Sequence, residues 1–165
     1  MSHDIPIEPL VTLQYLLGEV SSFPKIPLAL NIKADGLAKI LARIMRDYER
    51  EDWFAFDMSV PEIRSYIKES IPFFVRMSEV EKLPPWMDKA VGIWLDSFDS
   101  TWFSMGDITD ILNSKKKLCI VSPELHGRDY IGLWHELRLL NNNDQIMICT
   151  DYPVLARDFF RKSDD

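Results

Sequence analysis

Gln145-Ile-Met-Ile-Cys-Thr150-Asp151-Tyr152-Pro153 runs from a continuous apolar stretch straight into a polar turn. A strand that is apolar at nearly every residue suits burial on both faces, the habit of parallel sheets. The same transition recurs upstream. Lys117-Leu-Cys-Ile-Val-Ser122 runs into Ser122-Pro123-Glu124, and Val91-Gly-Ile-Trp-Leu-Asp96 into Asp96-Ser97. Pro72-Phe-Phe-Val-Arg76 leads to Arg76-Met77-Ser78-Glu79, and Trp53-Phe-Ala-Phe-Asp57 to Asp57-Met58-Ser59. Pro27-Leu-Ala-Leu-Asn-Ile-Lys33 ends in Asn31-Ile32-Lys33.

Between these runs the apolar residues switch to helical spacing. Leu37, Ile40, Leu41, Ile44 and Met45 predict a helix to about Tyr48. Ile63, Tyr66 and Ile67 predict another, with Pro61 at its first turn and Ser59 near the cap. A short helix is expected over Asp107–Leu112, and one through Ile131, Trp134, Leu137 and Leu140 that ends at Asn141-Asn-Asn143. A terminal helix should run from Val154 to about Arg161.

Strand and helix alternate, so the expected class is α/β, a (β/α) barrel of the TIM type. A complete barrel takes roughly 250 residues and eight units. This chain has 165 residues, room for about six of the eight, as a single domain over 1–165 without its first two strands. An open α/β sheet is the alternative, since it also gathers polar residues at the carboxyl ends of its strands.

The composition is 47% hydrophobic with a net charge of -7. That charge argues against nucleic acid as a partner, because phosphate backbones select basic surfaces. No apolar run approaches a membrane span, and Met-Ser-His-Asp does not begin a signal peptide. A cytoplasmic protein is expected. Cys119 and Cys149, both in apolar runs, are expected as reduced thiols.

Several strand-end residues suit chemistry. Asn31 and Lys33 lie two apart and share a side of their strand, offering a carbonyl oxygen to a metal and a cation to a phosphate. Arg76 is either a substrate clamp or the partner of Glu79 or Glu81. Glu124, His126 and Arg128 follow a strand in a loop suited to ligand binding. Ser59 is expected to cap its helix. His3-Asp4 lies at the extreme terminus, and His135, beside Trp134, reads as a helix-packing residue.

The order of these pieces resembles the glycerophosphodiester phosphodiesterase family of phospholipase C-like TIM barrels. In that family a His-Asp motif precedes a Pro-x-Leu-type helix, as His3-Asp4 precedes Pro9-Leu-Val-Thr-Leu-Gln-Tyr-Leu-Leu17 here. A Leu-Glu-Ile-Lys strand is matched by Leu30-Asn31-Ile32-Lys33, and a closing Thr-Asp-Tyr-Pro by Thr150-Asp151-Tyr152-Pro153. Phe54-Ala-Phe-Asp57 is a less faithful match to the family's Ser-Phe-Asp strand.

The resemblance implies metal-dependent hydrolysis of a phosphodiester, with His3 protonating the leaving alcohol and Lys33 contacting phosphate. It implies a divalent cation, Mg or Ca. The family's His-Arg and Glu-x-Asp strands would fall before residue 1, and its next metal-binding Glu is replaced by Asn31. Weak or absent activity and poor metal binding are therefore expected. The alternative is a non-catalytic module that binds a small phosphodiester or phosphorylated polyol through Lys33, Arg76, Glu124, His126 and Arg128. A missing pair of strands would also leave open sheet edges, to be covered by another copy or a partner chain.

Overall fold

A computed structural model describes residues 10–21, 23, 26–140 and 143–161. The chain divides into two compact units, Met1–Phe73 and Phe74–Asp165. His3 and Asp4 lie outside the described residues.

In the first unit, helix α1 spans Leu13–Val20, strand β1 Leu28–Asn31, helix α2 Ala38–Asp47, strand β2 Trp53–Phe56 and helix α3 Ile63–Lys68. The two strands are parallel, with Leu28 beside Trp53 and Asn31 beside Phe56. Helix α2 forms because its apolar positions fall on one stripe. It buries Leu41, Ala42 and Met45 and leaves Lys39, Arg43 and Arg46 exposed. Thr12 caps α1 by accepting the Tyr15 amide at 3.1 Å.

In the second unit, strand β3 spans Phe74–Met77, β4 Gly92–Leu95, helix α4 Met105–Asn113 and strand β5 Lys117–Val121. A single 3₁₀ turn over Pro123–His126 leads to helix α5, Ile131–Arg138. Strand β6, Ile146–Cys149, and helix α6, Pro153–Arg161, complete the described elements. The four strands pair in parallel in the order β3-β4-β5-β6. Helix α4 starts with a capping box, in which Ser104 and Asp107 each satisfy the other's backbone amide. Trp134 is fully buried and its indole N–H donates to the Ser122 hydroxyl at 2.8 Å. Phe159 and Phe160 of α6 pack on the same ring. The chain between β3 and β4 forms turns in place of a helix.

The structure is thus parallel α/β, as the alternating pattern implied. Its strands form a two-stranded and a four-stranded sheet instead of one run of six. Pro72 helps explain the interruption after β2. Its carbonyl accepts the Ala55 amide at 2.9 Å, but a proline has no N–H to extend a ladder. Ala55 therefore meets Phe73 in an isolated bridge. The strand expected at 72–76 runs over Phe74–Met77.

Candidate functional site

All four buried polar residues among the described residues, Ser78, Asp96, Ser97 and Ser122, follow directly on β3, β4 or β5. These are the carboxyl ends of the strands, where parallel α/β folds place their ligands. Burying a polar group is costly unless it is hydrogen-bonded, and most of these groups organise their neighbours.

Asp96 is the hub of the second unit's rim. Its Oδ1 accepts the Ser97 amide at 2.8 Å and lies 2.7 Å from Nε2 of His126. Its carbonyl accepts the Trp102 indole N–H at 2.7 Å. A carboxylate only accepts, so Nε2 of His126 carries the shared proton, and in the neutral ring Nδ1 remains an acceptor. Phe98 stands edge-on to the imidazole with ring centroids 5.2 Å apart, fixing it from a second side.

Arg128 is tied to the same strand end. Its guanidinium donates to the Ser97 carbonyl, and to the Ser97 hydroxyl at 2.9 Å. Glu79, after β3, accepts the Asp99 amide at 2.8 Å. Desolvation raises the Glu79 carboxyl, but the amides of Asp99, Glu79 and Phe98 and the charge of Arg128 outweigh it, holding the group below the usual carboxylate range.

Glu124 turns to a different strand end. Its Oε1 accepts from the Thr150 hydroxyl and from the Asp151 amide, the latter at 3.2 Å, while Oε2 is buried with no partner among the described residues. The turn after β5 thereby latches onto the ends of both β4 and β6. Burial, followed by the charges of Asp151, Asp96 and Glu124, pushes the Cys149 thiol up. Cys119 is raised by burial and by Cys149. Both cysteines are free and disfavoured as thiolates.

Within the first unit, Lys33 Nζ lies 2.5 Å from Asp57 Oδ2. Asp57 has a φ of 67°, a left-handed conformation that Asp tolerates better than most residues. Ser59, expected as a helix cap, instead donates its hydroxyl to Asp35 at 2.9 Å, and α3 has no side-chain cap. The helix starts later than Pro61 suggested, and Ser59 serves its start through the backbone, its carbonyl accepting the amides of Glu62 and Ile63 at 3.0 and 3.2 Å.

The structure brings Glu124, His126 and Arg128 onto one turn, each with its own anchor. It pairs Arg76 with Glu81 at 3.6 Å, one of the partners foreseen. His135 packs edge-on against Phe159 at 5.1 Å, as a helix-packing residue should. Sequence reasoning named Asp96 only as a strand end and missed its link to His126, thirty residues away. The one local signal was an acidic residue directly after a fully apolar strand.

Asn31 does not make a fitting site for a divalent cation. Its amide oxygen is neutral, and the carboxylate ending the neighbouring strand, Asp57, is already closed by Lys33. Among the described residues no group of three or more His, Cys, Asp or Glu side chains is gathered to hold a metal ion. No helix among them is long and apolar enough to cross a membrane. No family model, curated protein or solved structure matches this chain significantly.

Proposed function

We propose that this chain is a glycerophosphodiester phosphodiesterase-like protein of the cytoplasm, built as a partial (β/α) barrel of the TIM type. It binds a small phosphodiester or phosphorylated polyol at its strand carboxyl ends and hydrolyses it weakly or not at all. The observation that supports this most is the concentration of buried polar residues at the ends of β3, β4 and β5, organised around Asp96 and His126. The likeness of Leu30-Asn31-Ile32-Lys33 and Thr150-Asp151-Tyr152-Pro153 to family strands narrows the ligand to the phosphodiester class.

In this reading the terminal guanidinium nitrogen of Arg128 that Ser97 does not engage donates to phosphate oxygens. Nδ1 of His126 takes a proton from a hydroxyl or water at the ligand, while Asp96 holds the ring in register. The family's Mg or Ca ion has no step here, because the donors around Asn31 do not suit it. The closure of Asp57 by Lys33 favours metal-independent binding as the second reading.

Calorimetric titration with glycerol 3-phosphate, in EDTA and in excess Mg²⁺, separates the alternatives. The expected result is saturable binding of similar strength in both, weakened about tenfold by Arg128→Ala, a loss of roughly 1.4 kcal/mol. Absence of binding at millimolar ligand sinks the proposal. Robust Mg²⁺-dependent hydrolysis of glycerophosphocholine, abolished by His3→Ala, overturns its weak-turnover part.

A further inference from the structure

Among the described residues β1 pairs only with β2 and β6 only with β5, so each of these strands carries an edge with no paired strand. A strand in a parallel ladder turns alternate residues to each side. Leu28 and Ile32 give their amides to the β2 side, at 3.0 Å each, so Ala29 and Asn31 turn their backbone groups outward. On β6, the carbonyls of Gln145 and Cys149 accept from Leu118 and Ser122 of the β5 segment. The backbone of Ile148 therefore faces outward, as does the Ile146 carbonyl.

Both edges have apolar flanks. Leu13 and Leu16 of α1 and Leu37, Ile40 and Ile44 of α2 line a groove of about 600 Å³ beside β1, where Ile40 is 55% exposed. Leu137, Leu140 and Phe160 line a hollow of about 200 Å³ beside β6. Unpaired edges with apolar flanks recruit another strand.

We propose that β6 of one copy adds to β1 of a second copy as a parallel strand. Both strands are four residues long, and end-to-end alignment sets Ile146 beside Leu28 and Cys149 beside Asn31. In this register the outward groups meet. Ala29 N–H reaches the Ile146 carbonyl, Ile148 N–H the Ala29 carbonyl, and Asn31 N–H the Ile148 carbonyl. A slip of one residue sets outward groups against groups already used within each sheet. The aligned register also places Asp151 beside Lys33, two residues past each strand; both are exposed and of opposite charge, and the ammonium would serve Asp151 together with its own partner Asp57. Two open edges of equal length on one chain, with the opposite charges of Asp151 and Lys33 beyond them, favour a second copy of this chain as the occupant. The contact is heterologous, with different patches on the two partners, so it closes into a ring or extends as a filament.

Sedimentation equilibrium of the full chain tests the proposal. Concentration-dependent association is expected, weakened at least tenfold by Ala29→Pro and by Ile148→Pro. Each removes one outward N–H and leaves the inner ladder its donors, and urea unfolding checks that both variants fold. Asp151→Lys should weaken association severalfold, and Lys33→Glu in the same chain should restore it. A monodisperse wild-type monomer overturns the proposal. So does a monomer whose Ala29 amide resists hydrogen exchange, because another segment of the chain then covers that edge. Failure of the Lys33→Glu rescue rejects the register.

Discussion

His126 Nε2 lies 2.7 Å from Asp96 Oδ1, joining the turn after β5 to the carboxyl end of β4. Asp96 is buried and its Oδ1 also accepts the Ser97 amide. Asp96→Ala therefore leaves a buried N–H without its acceptor and frees the imidazole. A loss of about 1–3 kcal/mol is expected by urea unfolding. His126→Ala should cost less, because its side chain is 24% exposed and water can replace it at the carboxylate. Both variants should weaken glycerol 3-phosphate binding. If His126→Ala binds as tightly as wild type, the imidazole has no part in the site.

Acid stability should depend on Glu79 and, to a small extent, on Arg128. Burial raises Glu79, but the amides of Asp99, Glu79 and Phe98, and to the smallest extent the Arg128 charge, hold it below its ordinary value. A carboxylate with a lowered folded-state pKa adds stability above its unfolded value, and this is lost as pH falls through the folded one. In Arg128→Ala the Glu79 carboxyl rises toward its ordinary value, so stability should fall less steeply between pH 5 and pH 3, on the order of the range where carboxylates titrate. Unfolding midpoints across that range, with Glu79→Gln as the reference, check this.

At the alkaline end Tyr66 acts alongside the thiols of Cys119 and Cys149, all three held neutral by folding. The Tyr66 ring is fully buried in the first unit. Burial, and then the charges of Glu62 and Asp35, push its hydroxyl up to about 12. The unfolded phenol titrates near 10. The neutral form is thus favoured by folding, a stabilisation complete below pH ~10 and lost as pH rises toward 12. The hydroxyl has no partner among the described residues. Tyr66→Phe should therefore be neutral or stabilising at pH 7 and should flatten the alkaline decline, read from thermal midpoints at pH 8 to 11.

Gly92 marks the tightest approach in the second sheet. A Cβ there would stand 2.4 Å from the Phe74 ring and 2.7 Å from the Lys117 carbonyl oxygen. The ring could swing aside, but the carbonyl belongs to the neighbouring strand. Gly92→Ala should cost about 1–3 kcal/mol. Phe74→Leu in the same chain should fail to rescue it; full rescue would make the ring the only obstacle.

Local pattern made the elements legible. The apolar runs at 28–31, 53–56, 92–95, 117–121 and 146–149 became strands where their continuity placed them. The spaced residues Leu41, Met45, Trp134 and Leu137 became the buried stripes of α2 and α5. Ser59 was less legible, because a hydroxyl near a helix start serves a cap or a neighbouring loop equally well in the sequence, and Asp35 took it.

The sequence by itself determined the parallel α/β class and the polar character of the strand ends. Both follow from the period and continuity of apolar residues within a few neighbours along the chain. Only the tertiary structure decided which strand ends meet. Lys33 finds Asp57, His126 finds Asp96 and Glu124 finds Thr150 across separations of 24, 30 and 26 residues. Strand order and register set those pairings, and they are properties of the folded sheet that no local spacing encodes. The division into two sheets is likewise a property of the folded chain.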